Sequence, residues 1–122
     1  MIDAATVARR AKEVVDEGAR LLDASPVANK NHPWRKNVRT SDLDQSNGFQ
    51  CVLAHIFGDY WKGMEALGLM IEPWGNSPVR FVPDALRGSQ YGFSLGTEPM
   101  TWDALNVAWI EKVRPLHREG RR

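Results

Sequence analysis

The 122 residues, 43% apolar and 25% charged, have the composition of one ordinary globular domain and are too few for two. The 16 Lys and Arg against 15 Asp and Glu leave a formal charge of +1, which argues against a protein that coats nucleic acid or mimics its phosphates through overall charge. A single cysteine excludes an intrachain disulfide framework and a cysteine-only metal site within one chain, and it points to a reducing compartment.

The N-terminal segment MIDAATVARRAKEVVDEGA carries charges where a signal peptide needs an apolar core. No run approaches the length of about 18 apolar residues that a membrane span requires. The expectation is therefore a cytoplasmic protein with no membrane partner.

From Asp3 to Asp23, Ala4, Val7, Ala11, Val14, Val15, Gly18, Leu21 and Leu22 recur at helical spacing, with charged side chains between them. The pattern predicts an amphipathic helix, capped by Asp3 or Thr6 and stopped at Ser25 and Pro26. The stretch 26–47 spaces its large apolar residues, Trp34, Val38 and Leu43, too widely for a helix. It reads as an ordered loop pinned by those anchors, and a connection of that length is a first place to look for a binding surface.

A second helix is expected from Ser46 or Asn47 to Gly68, with Phe49, Val52, Leu53, Ile56, Phe57, Tyr60, Met64 and Leu67 in one apolar stripe. Cys51, Ala54 and Gly58 on its other side are small enough for a second backbone to approach, which predicts a central helix buried on two flanks. From Leu69 to Glu98 the periodicity fails and Pro and Gly accumulate. That segment predicts irregular chain with an extended piece at 79–82, a helical turn starting at Pro83 or Asp84, and Tyr91 and Phe93 as anchors. Thr101 then caps a third helix with Trp102, Leu105, Trp109 and Val113 on one face and Pro115 as its end. The sum is an all-α fold: a small single domain, 1–113, of about three main helices with long ordered loops, followed by a basic C-terminal tail, 114–122.

Cys51 and His55 lie one turn apart, with His32 in the preceding loop, so a metal site or an activated thiol is a candidate chemistry. The ligand count stops at one Cys and 3 His, and the favoured reading makes Cys51 a buried small hydrophobe with His55 at its rim. Asp42 and Asp44 precede the second helix and read as capping carboxylates, because DLDQSNG lacks the oxygen-ligand spacing of a calcium loop. Lys30, Arg35, Lys36 and Arg39 surround His32 and Trp34 with no acid between Lys30 and Arg39, an arrangement able to meet phosphates while the indole stacks on a base. The competing reading is a solvated loop with Trp34 buried as an anchor. Trp61, at the edge of the second stripe, and Trp74 are candidate partner contacts, since tryptophans anchor interfaces. No phosphate-binding loop, nucleophile elbow, zinc helix or dinucleotide fingerprint is present.

The order GARLLD, Trp34, DLD, CVLAHIFGDYWKGMEALGL, YGF and LNVAWIEKV resembles small uncharacterised proteins of actinobacteria and their phages, over most of 18–113. Its most specific residues are Cys51, Val52 and Leu53, then Phe57, Gly58, Tyr60, Gly63, Leu67, Gly68 and Leu69, and later Tyr91, Gly92, Phe93, Ala108 and Trp109. In that family Gly and Gln more usually stand where this chain has Ala54 and His55, which argues against catalysis by His55. The resemblance implies a phage or actinobacterial setting and brings no activity or cofactor. The expected function is a non-enzymatic binding protein that engages a host protein through His32, Trp34, Arg35, Lys36, Arg39, His55 and Trp61. The alternatives are nucleic-acid binding through the 30–39 loop and the tail, and a metal site or thiol enzyme built on Cys51 and His55. No catalytic residue, metal ligand or cofactor is assigned.

Overall fold

Asp3 starts the first helix: its carboxylate accepts the Thr6 N–H at 2.7 Å, and α1 runs Ala4–Asp23. The structure, a computed structural model, describes residues 3–71, 82–96 and 99–119. The end of α1 is closed by a residue that periodicity does not reveal. The Asn29 side-chain amide donates to the Leu22 and Ser25 carbonyls, both at 2.8 Å, which satisfies acceptors left over where the helix stops. The Asn29 Oδ1 in turn accepts the Trp34 N–H at 2.9 Å, so the loop folds back on the helix it leaves.

Trp34 opens a 3-10 helix, Trp34–Asn37, and is buried to 1% exposure, with Val38 and Leu43 buried after it. All three anchors expected of this loop are therefore in the core.

The second helix departs from expectation at both its start and its middle. Residues 44–50 close on themselves as a tight turn in which the Asp44 N–H donates to the Gln50 carbonyl at 2.9 Å. Helix α2 begins only at Val52 and ends at Phe57, and α3 follows from Tyr60 to Ala66. Gly58 adopts φ +105°, a conformation that ends a helix and that side-chain-bearing residues avoid. Asp59 then caps α3, accepting the Lys62 N–H at 2.8 Å. The glycine expected to admit a neighbouring backbone is thus the break itself. The far end matches expectation, with Gly68 at φ +72° and the Leu69 N–H reaching back to the Met64 carbonyl at 2.8 Å, a Schellman closure.

Strands β1, Met70–Ile71, and β2, Val82–Pro83, form a two-residue antiparallel ladder with Met70 opposite Pro83. Val82 thus belongs to the extended piece expected at 79–82, while 79–81, like Trp74, lie outside the described residues. Helix α4, Ala85–Ser89, starts where Asp84 accepts the Arg87 N–H. Helix α5, Trp102–Glu119, is capped by the Thr101 hydroxyl, which accepts the Ala104 N–H at 3.1 Å.

Pro115 does not end α5, which continues to Glu119, so the expected tail 114–122 begins inside a helix. Proline deletes one hydrogen bond, to the carbonyl of Glu111. A helix already held by buried Leu105, Trp109 and Val113 absorbs that loss.

The frame of this all-α domain is the antiparallel-packed face between α1 and α5 rather than a single long second helix. Ala11, Val14, Val15, Ala19 and Leu22 meet Leu105, Ala108, Trp109 and Val113, and the Lys112 ammonium reaches Asp16 at 3.0 Å beside this seam. Gly18 admits the Tyr91 carbonyl, which would lie 2.0 Å from a Cβ placed there. Phe93 stacks on Trp109 at 5.7 Å, and Trp34 meets the same indole edge-on at 6.2 Å. Aromatic area of this kind dominates core energetics in small domains.

Candidate interaction site

The residues expected to form a working surface separate into buried and exposed sets. Trp34 belongs to the buried set, and its indole N–H donates to the Asp23 carboxylate at 2.7 Å. It cannot stack on a base or enter a partner. The basic cluster around it is also less bare than its sequence suggests: Arg35 pairs with Asp23 at 3.8 Å, and Arg39 bonds Asp42 at 3.0 Å. His32, Lys30 and Lys36 are exposed. Carboxylates brought in from α1 and from the next turn thus neutralise half of the four cations, and the stacking element of the nucleic-acid reading is removed.

Cys51 is 1% exposed and caps α2 through its backbone, and burial pushes its thiol pKa up. A nucleophilic cysteine requires the opposite shift and an open cleft. Among the described residues no group of His, Cys, Asp and Glu is arranged to hold a metal ion. Cys51 is core, as the simpler of its two sequence readings has it. His55 sits at the rim, its Nδ1 accepting the backbone N–H of Arg39 at 3.0 Å.

The capping role expected of Asp42 and Asp44 passes to their neighbour. Asp42 answers Arg39, while Asp44 holds the N–H and hydroxyl of Ser46, which keep its carboxyl below the usual range. Gln45, 4% exposed, does the joining. Its Oε1 accepts the first amide of α2, from Val52, at 2.7 Å, and its Nε2 donates to the Gly92 carbonyl at 3.0 Å. Its own N–H donates to Asn106 Oδ1 of α5 at 2.6 Å. One buried amide therefore fixes the 44–50 turn against α2, α5 and the segment before it.

That turn carries Phe49, expected in the buried stripe but 71% exposed, beside Trp61, 49% exposed. Their rings lie 5.9 Å apart, and Tyr60 meets Trp61 edge-on at 5.8 Å. The Asn47 Oδ1 accepts the Phe49 N–H at 2.8 Å, and the Gly48 carbonyl accepts the Tyr60 N–H at 2.8 Å, so both aromatic residues stand on a hydrogen-bonded platform. The Trp61 ring packs over Gly48, 3.0 Å from where a Cβ would be, so a larger residue there would displace the ring slightly. The signal that would have found Phe49 is the run DQSNG ahead of it, turn residues that delay the helix until Val52 and leave the phenylalanine outside.

A concavity of about 350 Å³ lies between α1 and α5, lined by Lys12, Val15, Asp16, Ala108, Glu111 and Lys112. Its charges alternate in sign, and Asp16 and Lys112 already pair. Among the described residues no helix is long and apolar enough to cross a membrane. No protein-family model matches the chain, and comparisons with curated proteins and with solved structures likewise find no match.

Proposed function

We propose that this chain is a non-enzymatic binding protein, phage-encoded as its resemblance suggests, that engages a host protein through Phe49 and Trp61. The observation that carries this reading is the pair of exposed aromatic rings on a turn tied internally at Asp44, Asn47 and Gln50. Large aromatic side chains supply contact area at small cost in conformational freedom, and anchors of this type concentrate binding energy at interfaces. A preorganised turn lowers the ordering cost further. The surface is shifted from the loop 26–47 to its C-terminal edge and the start of α3, with Trp61 retained from the expected set and Trp34 lost to the core.

The test compares the wild-type chain with a Phe49→Ser/Trp61→Ser variant as baits in actinobacterial lysate, after circular dichroism shows that both are equally folded. A host protein retained by the wild type and lost by the variant supports the reading. Equal retention, or none by either bait, refutes it. A parallel titration with duplex DNA at low salt, where phosphate attraction is strongest, is expected to show no saturable binding.

A further inference from the structure

We propose that His55 is a proton-operated latch: its neutral ring clips the Arg39–Asp42 turn to α2, and protonation unclips it. The geometry dictates the protonation state. Nδ1 accepts the Arg39 N–H at 3.0 Å, which requires that this nitrogen carry no proton. The ring proton is therefore on Nε2, which is buried and finds no acceptor among the described residues. A charged imidazole in the same place would turn the Arg39 contact into two donors facing each other. The Nε2–H, which has no acceptor even in the neutral form, would then carry part of a positive charge away from water.

The surroundings act in the same direction. Burial opposes the charge most, the Arg39 guanidinium opposes it next, and Asp42 alone favours it. Asp42 is itself engaged by Arg39 Nε at 3.0 Å. On the 3-10 helix packed against α2, Arg35 is directed to Asp23 and Lys36 is exposed. On α3, the Asp59 carboxylate is held by the Lys62 N–H, with the Lys62 ammonium 4.0 Å away. The neighbouring thiol of Cys51 is neutral because burial raises its pKa. The turn that would be released is a small unit of its own, closed by the Asp42 N–H on the Arg39 carbonyl at 3.1 Å. Val38 and Leu43 on either side remain anchored in the core.

The sign follows from linkage. The pKa of His55 is lowered in the latched state from an ordinary value of 6.5. Latching is therefore complete above that value and weakens as pH falls from it toward the latched-state pKa. Within that window the opening equilibrium grows about ten-fold per pH unit.

The experiment follows the Arg39 amide by hydrogen exchange, corrected for intrinsic rate, and the His55 ring by nitrogen–proton correlation spectra, from pH 7.5 to 5. The comparison is His55→Asn, whose Oδ1 can take the place of Nδ1 as an acceptor without titrating. The expected result is an Arg39 protection that falls progressively in the wild type and stays flat in His55→Asn, with the ring proton found on Nε2 at pH 7.5. Protection that falls equally in both proteins, a ring that protonates without change at Arg39, or a ring that stays neutral throughout the range would each overturn the proposal.

Discussion

Gln45 shows how much a single buried polar side chain can decide. It serves the Val52 amide and the Gly92 carbonyl while its backbone holds Asn106. Removing the amide leaves a buried N–H at the start of α2 unsatisfied, so Gln45→Ala is expected to destabilise the fold by about 2–3 kcal/mol, read as a lower urea midpoint. The Gly92 carbonyl keeps a second donor, the Trp109 indole at 2.8 Å, which limits the loss. Phe49 and Trp61 behave oppositely. Because they are exposed, Phe49→Ser is expected to shift stability by no more than about 0.5 kcal/mol while abolishing partner retention. Cys51 belongs with the core: its buried thiol is expected to react with a maleimide only as fast as the chain unfolds. Its raised pKa also means that stability is lost as pH rises above the ordinary thiol value of 9.0, where the unfolded chain gives up its proton first.

At the scale of elements, the second helix tests how far periodicity can be trusted. The apolar stripe from Val52 to Leu67 is real, since Val52, Leu53 and Met64 are buried. It is carried by two helices because Gly58 and Asp59 together spell a stop followed by a cap. Gly58→Ala is expected to cost about 1–2 kcal/mol, all of it backbone strain. The nearest atom outside its neighbours, on the Lys62 side chain, would be 3.9 Å from the new Cβ. Gly63→Ala separates packing from conformation: its Cβ would lie 2.6 Å from that of Leu53, so α2 and α3 must be pushed apart. Thermal unfolding should therefore show both variants destabilised, and Leu53→Ala, which keeps the Cβ that the new methyl meets, should rescue neither. The starts of α1 and α5 were legible from Asp3 and Thr101, whose oxygens meet amides three residues on. Pro115 misled because proline weakens a helix locally, whereas the buried face of α5 holds it from elsewhere.

For the whole molecule, the ring cluster of Trp34, Phe93 and Trp109 ties the long loop and the segment before α5 to the α1–α5 seam. Trp34→Ala is expected to cost about 3–5 kcal/mol and to free the loop around it, visible as new protease cleavage between residues 26 and 47. Such an outcome distinguishes an anchor from a contact residue, because a contact residue would lose binding and leave the loop protected. The all-α class, the helices at both termini, the closure at Gly68 and the core roles of Val38 and Leu43 were determined by the sequence alone. Each rests on spacing or on a local hydrogen bond, which the order of residues encodes directly. Which aromatic rings face water was decided only by the tertiary structure. Burial of Trp34 depends on Asn29 and Asp23, which fold the loop back onto α1, and the turn that carries Phe49 is fixed by Gln45, whose partner Gly92 lies 47 residues on. The same long-range meeting places the Arg39 amide on the His55 ring, a contact that no local pattern in either segment specifies.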